Sequence, residues 1–251
     1  MHSHILVNAD DGPETVEETF QLFEQAVREG ITAIISTSHA LHPQYNVHTQ
    51  VIHEQIAQLQ QEIDNRNMPL TLYPGQEVRL AGNILELYQK DQLLTLAHSN
   101  YLLLELPSSF IPPYTQTIIY NLLTAGITPI IAHPERNKVI AANPSHLEKL
   151  IRDGALAQIT AGSLAGLFGK DIQQLSLKLV RSNLVHTYGS DVHNLQARPF
   201  LFEKGLSFLE KQKELHAIDA FLENNKRIIN NQPFIIYEPE NNFTKKRWKL
   251  F

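Results

Sequence analysis

Glu29-Gly30-Ile31-Thr32-Ala33-Ile34-Ile35-Ser36-Thr37-Ser38-His39 returns with few changes as Ala125-Gly126-Ile127-Thr128-Pro129-Ile130-Ile131-Ala132-His133. Each copy follows a stretch of amphipathic helical period. Its glycine stands where a helix C-terminus needs a left-handed residue. A short apolar, β-branched run follows, as in a strand buried on both faces. Both copies close on a histidine. A weaker third copy begins at Gly154 and leads into Ala157-Gln158-Ile159-Thr160. A repeated helix–glycine–strand unit implies a parallel sheet, closed into a barrel, whose strands end on one rim.

Outward from these copies, strands are expected over residues 2–6, 31–37, 70–73, 101–106, 128–132, 156–160 and 185–189. Helices are expected over 13–28, 47–65, 82–91, 115–124, 145–153, 170–181 and 206–225. Pro13 suits the first turn of the first helix, with Glu14, Glu17 and Glu18 at its positive end. A chain of 251 residues with 43% hydrophobic content suits a single α/β domain. That domain is expected over residues 1–235, with a surface tail over 236–251.

The net charge of −5 offers no general attraction for nucleic acid or acidic membranes. The chain has no cysteine, which excludes disulfides and thiolate metal sites. Any metal must therefore be held by imidazole and carboxylate. No stretch is apolar and long enough to span a bilayer, and no signal segment opens the chain, so a cytoplasmic location is expected.

The strand ends carry the chemistry. His2 and His4 lie two apart and project to one side, as do Asp191 and His193. His39, Glu105 and His133 close other strands, and Glu77 follows a turn after residues 70–73. Asp11, in the Asp10-Asp11-Gly12 loop, reaches the same rim. Each group alone has an ordinary explanation, such as a cap or an ion pair. Their joint placement at the C-terminal rim of a barrel points to a multinuclear metal site. Glu105 ends an apolar run, where an unpaired carboxylate costs several kcal/mol, so a cation is the economical partner. Mixed imidazole and carboxylate ligands suit manganese, iron or zinc.

Arg136 and Arg198 follow His133 and His193 in loops on the same side. Their planar forks match phosphate oxygens, although Arg136 could instead pair with Glu135. His48, His53, His98, His146, His186 and His216 are expected outside the site. His42 stands just past His39 and is left unassigned.

These motifs resemble the PHP (polymerase and histidinol phosphatase) superfamily, and within it the bacterial capsule- and exopolysaccharide-associated protein-tyrosine phosphatases. The matching segments are His-Ser-His-Ile-Leu, Asp-Asp-Gly-Pro, Gly-Ile-Thr-x-Ile-Ile-x-Thr-Ser-His, Gly-Gln-Glu-Val, Leu-Leu-Glu, Ile-Ala-His-Pro-Glu-Arg and Ser-Asp-Val-His-Asn with a following Arg-Pro. They run in family order from His2 to Pro199. The resemblance implies a distorted (β/α)₇ TIM-like barrel with three divalent metal ions, most often manganese. It assigns His2, His4, Glu77 and Asp191 to one metal. Glu77, Glu105 and His133 would hold a second, and Asp11, His39, Glu105 and His193 a third. Arg136 and Arg198 would hold the phosphoryl group. The implied substrate is a phosphotyrosine protein, with a bacterial tyrosine kinase as partner and control of capsule or exopolysaccharide synthesis as the setting.

The chain departs from the family pattern in two places. Met1 stands directly before His2, so a frayed first strand and a less firmly held first metal are expected. Val7-Asn8-Ala9 stands where many relatives have a proline–glycine pair. Rival readings are a histidinol-phosphate phosphatase, a nucleic-acid exonuclease, which the acidic charge disfavours, and a metal-stabilised binding module without activity. The Lys245-Lys246-Arg247-Trp248-Lys249 end is expected to be a solvated tail, with contact to an acidic partner or membrane surface as the alternative.

Overall fold

The structure, a computed structural model, describes residues 2–240. Its elements in chain order are α1 (Val16–Arg28), β1 (Ala33–Ile35), β2 (Ser38–Ala40), α2 (Thr49–Asn65), β3 (Thr71–Tyr73), β4 (Gln76–Arg79), α3 (Ile84–Gln89), β5 (Tyr101–Glu105), α4 (Thr115–Thr124) and β6 (Thr128–Ala132). They continue as α5 (Lys138–Ala142), α6 (Ser145–Arg152), β7 (Leu156–Thr160), α7 (Ala161–Leu164), α8 (Lys170–Arg181), β8 (Thr187–Gly189), α9 (Phe202–Lys211) and α10 (Leu215–Ile229).

The repeated units fold alike. Gly30, Gly126 and Gly154 take φ of 75°, 79° and 101° just past α1, α4 and α6. Ile31, Ile127 and Ala155 each return a backbone N–H to the last turn of the preceding helix. This is the left-handed stop that turns a helix into the next strand.

All strand pairs are parallel. Strands β2-β4-β5-β6-β7-β8 form one sheet and β1-β3 a second. The two sheets share staves, because β1 runs into β2 and β3 into β4. The N-terminal segment fills the remaining gap. Ser3 bridges Val192, His4 N–H donates to Val192 O (2.9 Å), and Thr37 N–H donates to Ser3 O (2.8 Å). Counted with it, seven staves make the distorted (β/α)₇ barrel. Leu103, Ile130 and Leu156 fill its lower interior, while Leu102, Leu104, Ile131 and Ala157 pack outward beneath the helices. Apolar residues on both strand faces give the continuous runs seen in the sequence.

Several expectations are corrected. Residues 2–6 form no regular strand, because His2 takes a left-handed φ of 54° that breaks the ladder. Within residues 31–37 only Ala33–Ile35 form a strand, β1; the pairing then changes partner, Ser36 N donating to Tyr73 O and Thr37 N to Ser3 O, before β2 begins at Ser38. Residues 76–79 form a strand of their own. Helix α1 starts at Val16 rather than Pro13, because Thr15 supplies the cap by accepting from Glu18 N (3.2 Å). Residues 206–225 are not one helix: α9 and α10 are separated around Lys213, whose φ is 65°. Residues 236–240, where the surface tail is expected to begin, are mostly exposed and lie against the turn after α8. Glu240 N donates to Ser182 O and Asn183 Nδ2 to Glu238 O, both at 3.0 Å. The Lys245–Lys249 stretch lies outside the described residues. Among those residues no helix is long and apolar enough to cross a membrane.

Candidate metal centre

The rim expected from the sequence gathers around one pocket of about 330 Å³. His39 comes from β2, Glu77 from β4 and Glu105 from the end of β5. His133 follows β6 directly, and Asp191 and His193 follow β8. The bridged N-terminal segment brings His2 and His4 between β8 and Thr37. Parallel register sets His39 beside Glu77 and Arg79 beside Glu105.

Ligand atoms fall within 4.8 Å of one another in four overlapping sets. They are His4, Asp11, His39 and His193; His2, His4 and Glu77; His2, His133 and Asp191; and His39, Glu77 and Glu105. Every expected ligand residue appears in at least one set. Three of these residues hold left-handed backbone, His2 (φ 54°), His133 (φ 32°) and Asp191 (φ 58°). Such conformations cost about 1–3 kcal/mol each and cluster where side chains must be aimed.

Unsatisfied atoms show what the cluster fits. His2 Nε2, His4 Nε2, His39 Nδ1, Asp11 Oδ1, Glu105 Oε2 and Asp191 Oδ1 are buried with no hydrogen-bond partner. His2 Nε2 lies 3.4 Å from Glu77 Oε2 and 3.2 Å from Asp191 Oδ1, and His4 Nε2 lies 3.4 and 3.6 Å from the same atoms. Two ligand atoms that share one ion at about 2.1 Å sit roughly 3.0–3.4 Å apart. The spacing suits shared cations.

The other ring nitrogens fix the tautomers. His4 Nδ1 meets Asp10 Oδ2 at 2.9 Å, His2 Nδ1 meets Gln158 Oε1 at 2.7 Å, and His193 Nδ1 meets the Asp191 carbonyl at 3.0 Å. Each leaves Nε2 aimed inward, where the neutral ring can act as a metal ligand. Gly189 makes room for the Gln158–His2 pair, since a Cβ there would fall 2.5 Å from Gln158 Oε1 and 2.8 Å from His2 Cβ.

The electrostatics are those of a cluster of mixed charge. Burial and the nearby Glu77 push the Glu105 carboxyl up to about 8, although Arg79 Nη1 sits 3.0 Å from it. Burial would also raise Glu77, but His2 and His133 hold it well below the usual carboxylate range. Burial would lower His2, but Asp191 and Glu77 hold it up at about 9.

Arg136 and Arg198 both donate to Asp191 Oδ2, and Arg198 Nη1 lies 2.8 Å from His193 Nε2. Both line the pocket. Glu135 is not the partner of Arg136: it is fully buried and accepts from Thr160 Oγ1 at 2.8 Å.

Asp10, Gln158 and the pocket-lining His42 and Tyr45 were not among the expected site residues. Gln158 had a signal, a polar residue inside the apolar run 156–160. His42 stacks on His39 with ring centres 4.6 Å apart. His186 is buried beside β8 and its Nδ1 accepts from Ala157 N (3.1 Å), outside the cluster as expected. His53 and His98 stack on each other instead, at 5.8 Å.

Imidazoles and carboxylates at strand ends converge in a parallel seven-stave barrel, and the fold is of the PHP class. Within it, the chain belongs to the capsular polysaccharide synthesis family CpsB/CapC, which matches residues 1–230. The chain is 38% identical to CapC of Staphylococcus aureus over 248 residues, 99% of this chain and 97% of that one. It is also 38% identical to the tyrosine-protein phosphatase YwqE of Bacillus subtilis over 251 residues, 100% of this chain and 98% of that one. A crystal structure from work on YwqE and on CpsB of Streptococcus pneumoniae, described as metal-dependent tyrosine phosphatases, superposes with a TM-score of 0.92. That match has 38% identity and covers 95% of this chain and 97% of that one.

Proposed function

We propose that this chain is a metal-dependent protein-tyrosine phosphatase that hydrolyses phosphotyrosine in proteins. Full-length likeness to YwqE supports the reaction. The observation that carries the reading is the set of buried, partnerless ligand atoms around one pocket beside two arginines.

We assign three ions, manganese ahead of iron or zinc. His2, His4, Glu77 and Asp191 serve one, Glu77, Glu105 and His133 a second, and Asp11, His39, Glu105 and His193 the third. Divalent cations bound there would supply an activated water near neutral pH and offset phosphoryl charge. Arg136 and Arg198 present guanidinium forks to the phosphoryl oxygens and orient phosphorus for in-line attack. Asp10 and Gln158 keep His4 and His2 in the tautomers that face the pocket. The tyrosyl leaving group, with a pKa of about 10, needs little help to depart. No cysteine is present to act as a thiolate nucleophile.

The setting we infer is regulation of capsule or exopolysaccharide synthesis in the cytoplasm, with a bacterial tyrosine kinase as the phosphorylated partner. Family membership supports this setting. Rates on a phosphotyrosyl peptide and on histidinol phosphate test the substrate class. A strong preference for the peptide is expected, and a preference for histidinol phosphate would overturn the assignment.

A further inference from the structure

Between β5 and α4 runs Ser108-Ser109-Phe110-Ile111-Pro112-Pro113-Tyr114. Ser108 lines the candidate active pocket, and Phe110, two residues on, lines a separate groove of about 320 Å³. Ile111, Pro113, Val139 and Leu150 give that groove apolar walls. Asn137 joins the two. It lines the pocket and donates from Nδ2 to Pro107 O (2.7 Å) and Phe110 O (3.2 Å). Its Oδ1 caps α5 by accepting from Val139 and Ile140 N–H, both at 3.0 Å. Lys138 N adds a bond to Ser108 O at 2.8 Å. The loop is thereby fastened to the turn that carries Arg136, and two prolines stiffen it. Phe110 is nevertheless 52% exposed and Tyr114 44%.

An exposed aromatic on a rigid loop costs little by itself. Its place matters more, because Phe110 and Val139 each stand two residues from a residue that lines the pocket, Ser108 and Asn137, so the groove lies beside a pocket whose substrate is a polypeptide side chain. The chain that flanks that side chain must leave the mouth along the protein surface. On another side, beyond Asp11, the mouth opens on a groove lined by Glu14 and Glu18, which repels acidic residues. The Phe110 groove instead carries Lys149.

We propose that the Phe110 groove docks substrate chain next to the phosphotyrosine, taking an apolar residue against Phe110 and favouring an acidic one beside Lys149. This rests on the phosphatase reading. It adds a selection among phosphotyrosyl sites that the metal pocket cannot make.

The test compares kcat/KM for three probes: p-nitrophenyl phosphate, a phosphotyrosyl peptide with leucines flanking the tyrosine, and the same peptide with serines in their place. Unmodified enzyme should prefer the leucine peptide over the serine peptide. The Phe110→Ser enzyme should lose about fivefold on the leucine peptide relative to p-nitrophenyl phosphate, the loss expected for one interface aromatic contact. Tyr120→Ser, which removes an aromatic outside the groove, should leave that ratio alone. An equal loss on p-nitrophenyl phosphate, or no loss on the leucine peptide, overturns the docking role. A change from dimer to monomer in Phe110→Ser with an unaltered ratio would give the groove to a second copy and also overturns it. Hydrolysis of neither phosphotyrosyl peptide by unmodified, metal-loaded enzyme would instead bring down the phosphatase reading, and this one with it.

Discussion

His4 Nδ1 lies 2.9 Å from Asp10 Oδ2, and the same carboxylate oxygen accepts the His39 backbone N–H at 3.0 Å. One buried acid therefore sets the tautomer of one candidate ligand and the backbone position of another. Burial would raise the Asp10 carboxyl, but His4 and the His39 amide keep it low and charged. Removing such a partner typically weakens metal binding about 10–100-fold. Asp10→Ala should bind manganese with an affinity lower by that factor while remaining folded. Calorimetric titration of the metal-free protein reads this directly, and unaltered affinity would leave Asp10 as loop structure only.

Arg198 is tied to Asp191 and His193 by its guanidinium. If its fork holds the phosphoryl group, Arg198→Lys keeps the charge and loses the geometry. The expected loss in kcat/KM is about 10²-fold, with metal content unchanged. Steady-state kinetics paired with metal analysis separates this from damage to the metal cluster. A fully active Arg198→Ala enzyme would remove the arginine from the site.

Gly189 packs against both members of the Gln158–His2 pair. Gln158 is itself fully buried, so it has no open space into which to move. Gly189→Ala should destabilise the fold by about 1–3 kcal/mol through overpacking. Urea unfolding of the metal-free protein measures it, and a neutral substitution would mean that the contact yields more easily than the packing implies.

His186 gives a pH dependence away from the metals. Burial pushes its imidazole down to about 4. The unfolded chain, with a histidine pKa of about 6.5, binds the proton more tightly than the folded one. Stability therefore falls as pH drops from about 6.5 towards 4. By pH 5 this one group costs about 2 kcal/mol. His186→Gln keeps an acceptor for Ala157 and removes the titration, so it should lose less stability between pH 7 and pH 5. Equal losses in the two proteins would contradict the assignment.

The convergence of the candidate site was legible because its imidazoles and carboxylates at strand ends sit beside strong local signals. The runs at 128–132 and 156–160 match β6 and β7, and the glycines at 30 and 126 stop their helices as read. The errors fall where tertiary contacts override local pattern. The first segment reads as a strand, yet His2 turns left-handed to aim its ring, which no residue pattern announces. The break at Lys213 carries neither glycine nor proline. Asp10 and Gln158 matter only through partners that the fold supplies, across 6 and 156 residues of chain respectively.

The central claim is that imidazoles and acids remote in sequence jointly hold cations on which phosphotyrosine hydrolysis depends. The direct measurement strips the protein with chelator, verifies its metal content by elemental analysis, and follows phosphate release from a phosphotyrosyl peptide as manganese is added back. Negligible turnover in the stripped protein, recovered as several equivalents of manganese bind, is the expected result. Undiminished turnover by protein shown to be metal-free would contradict the account.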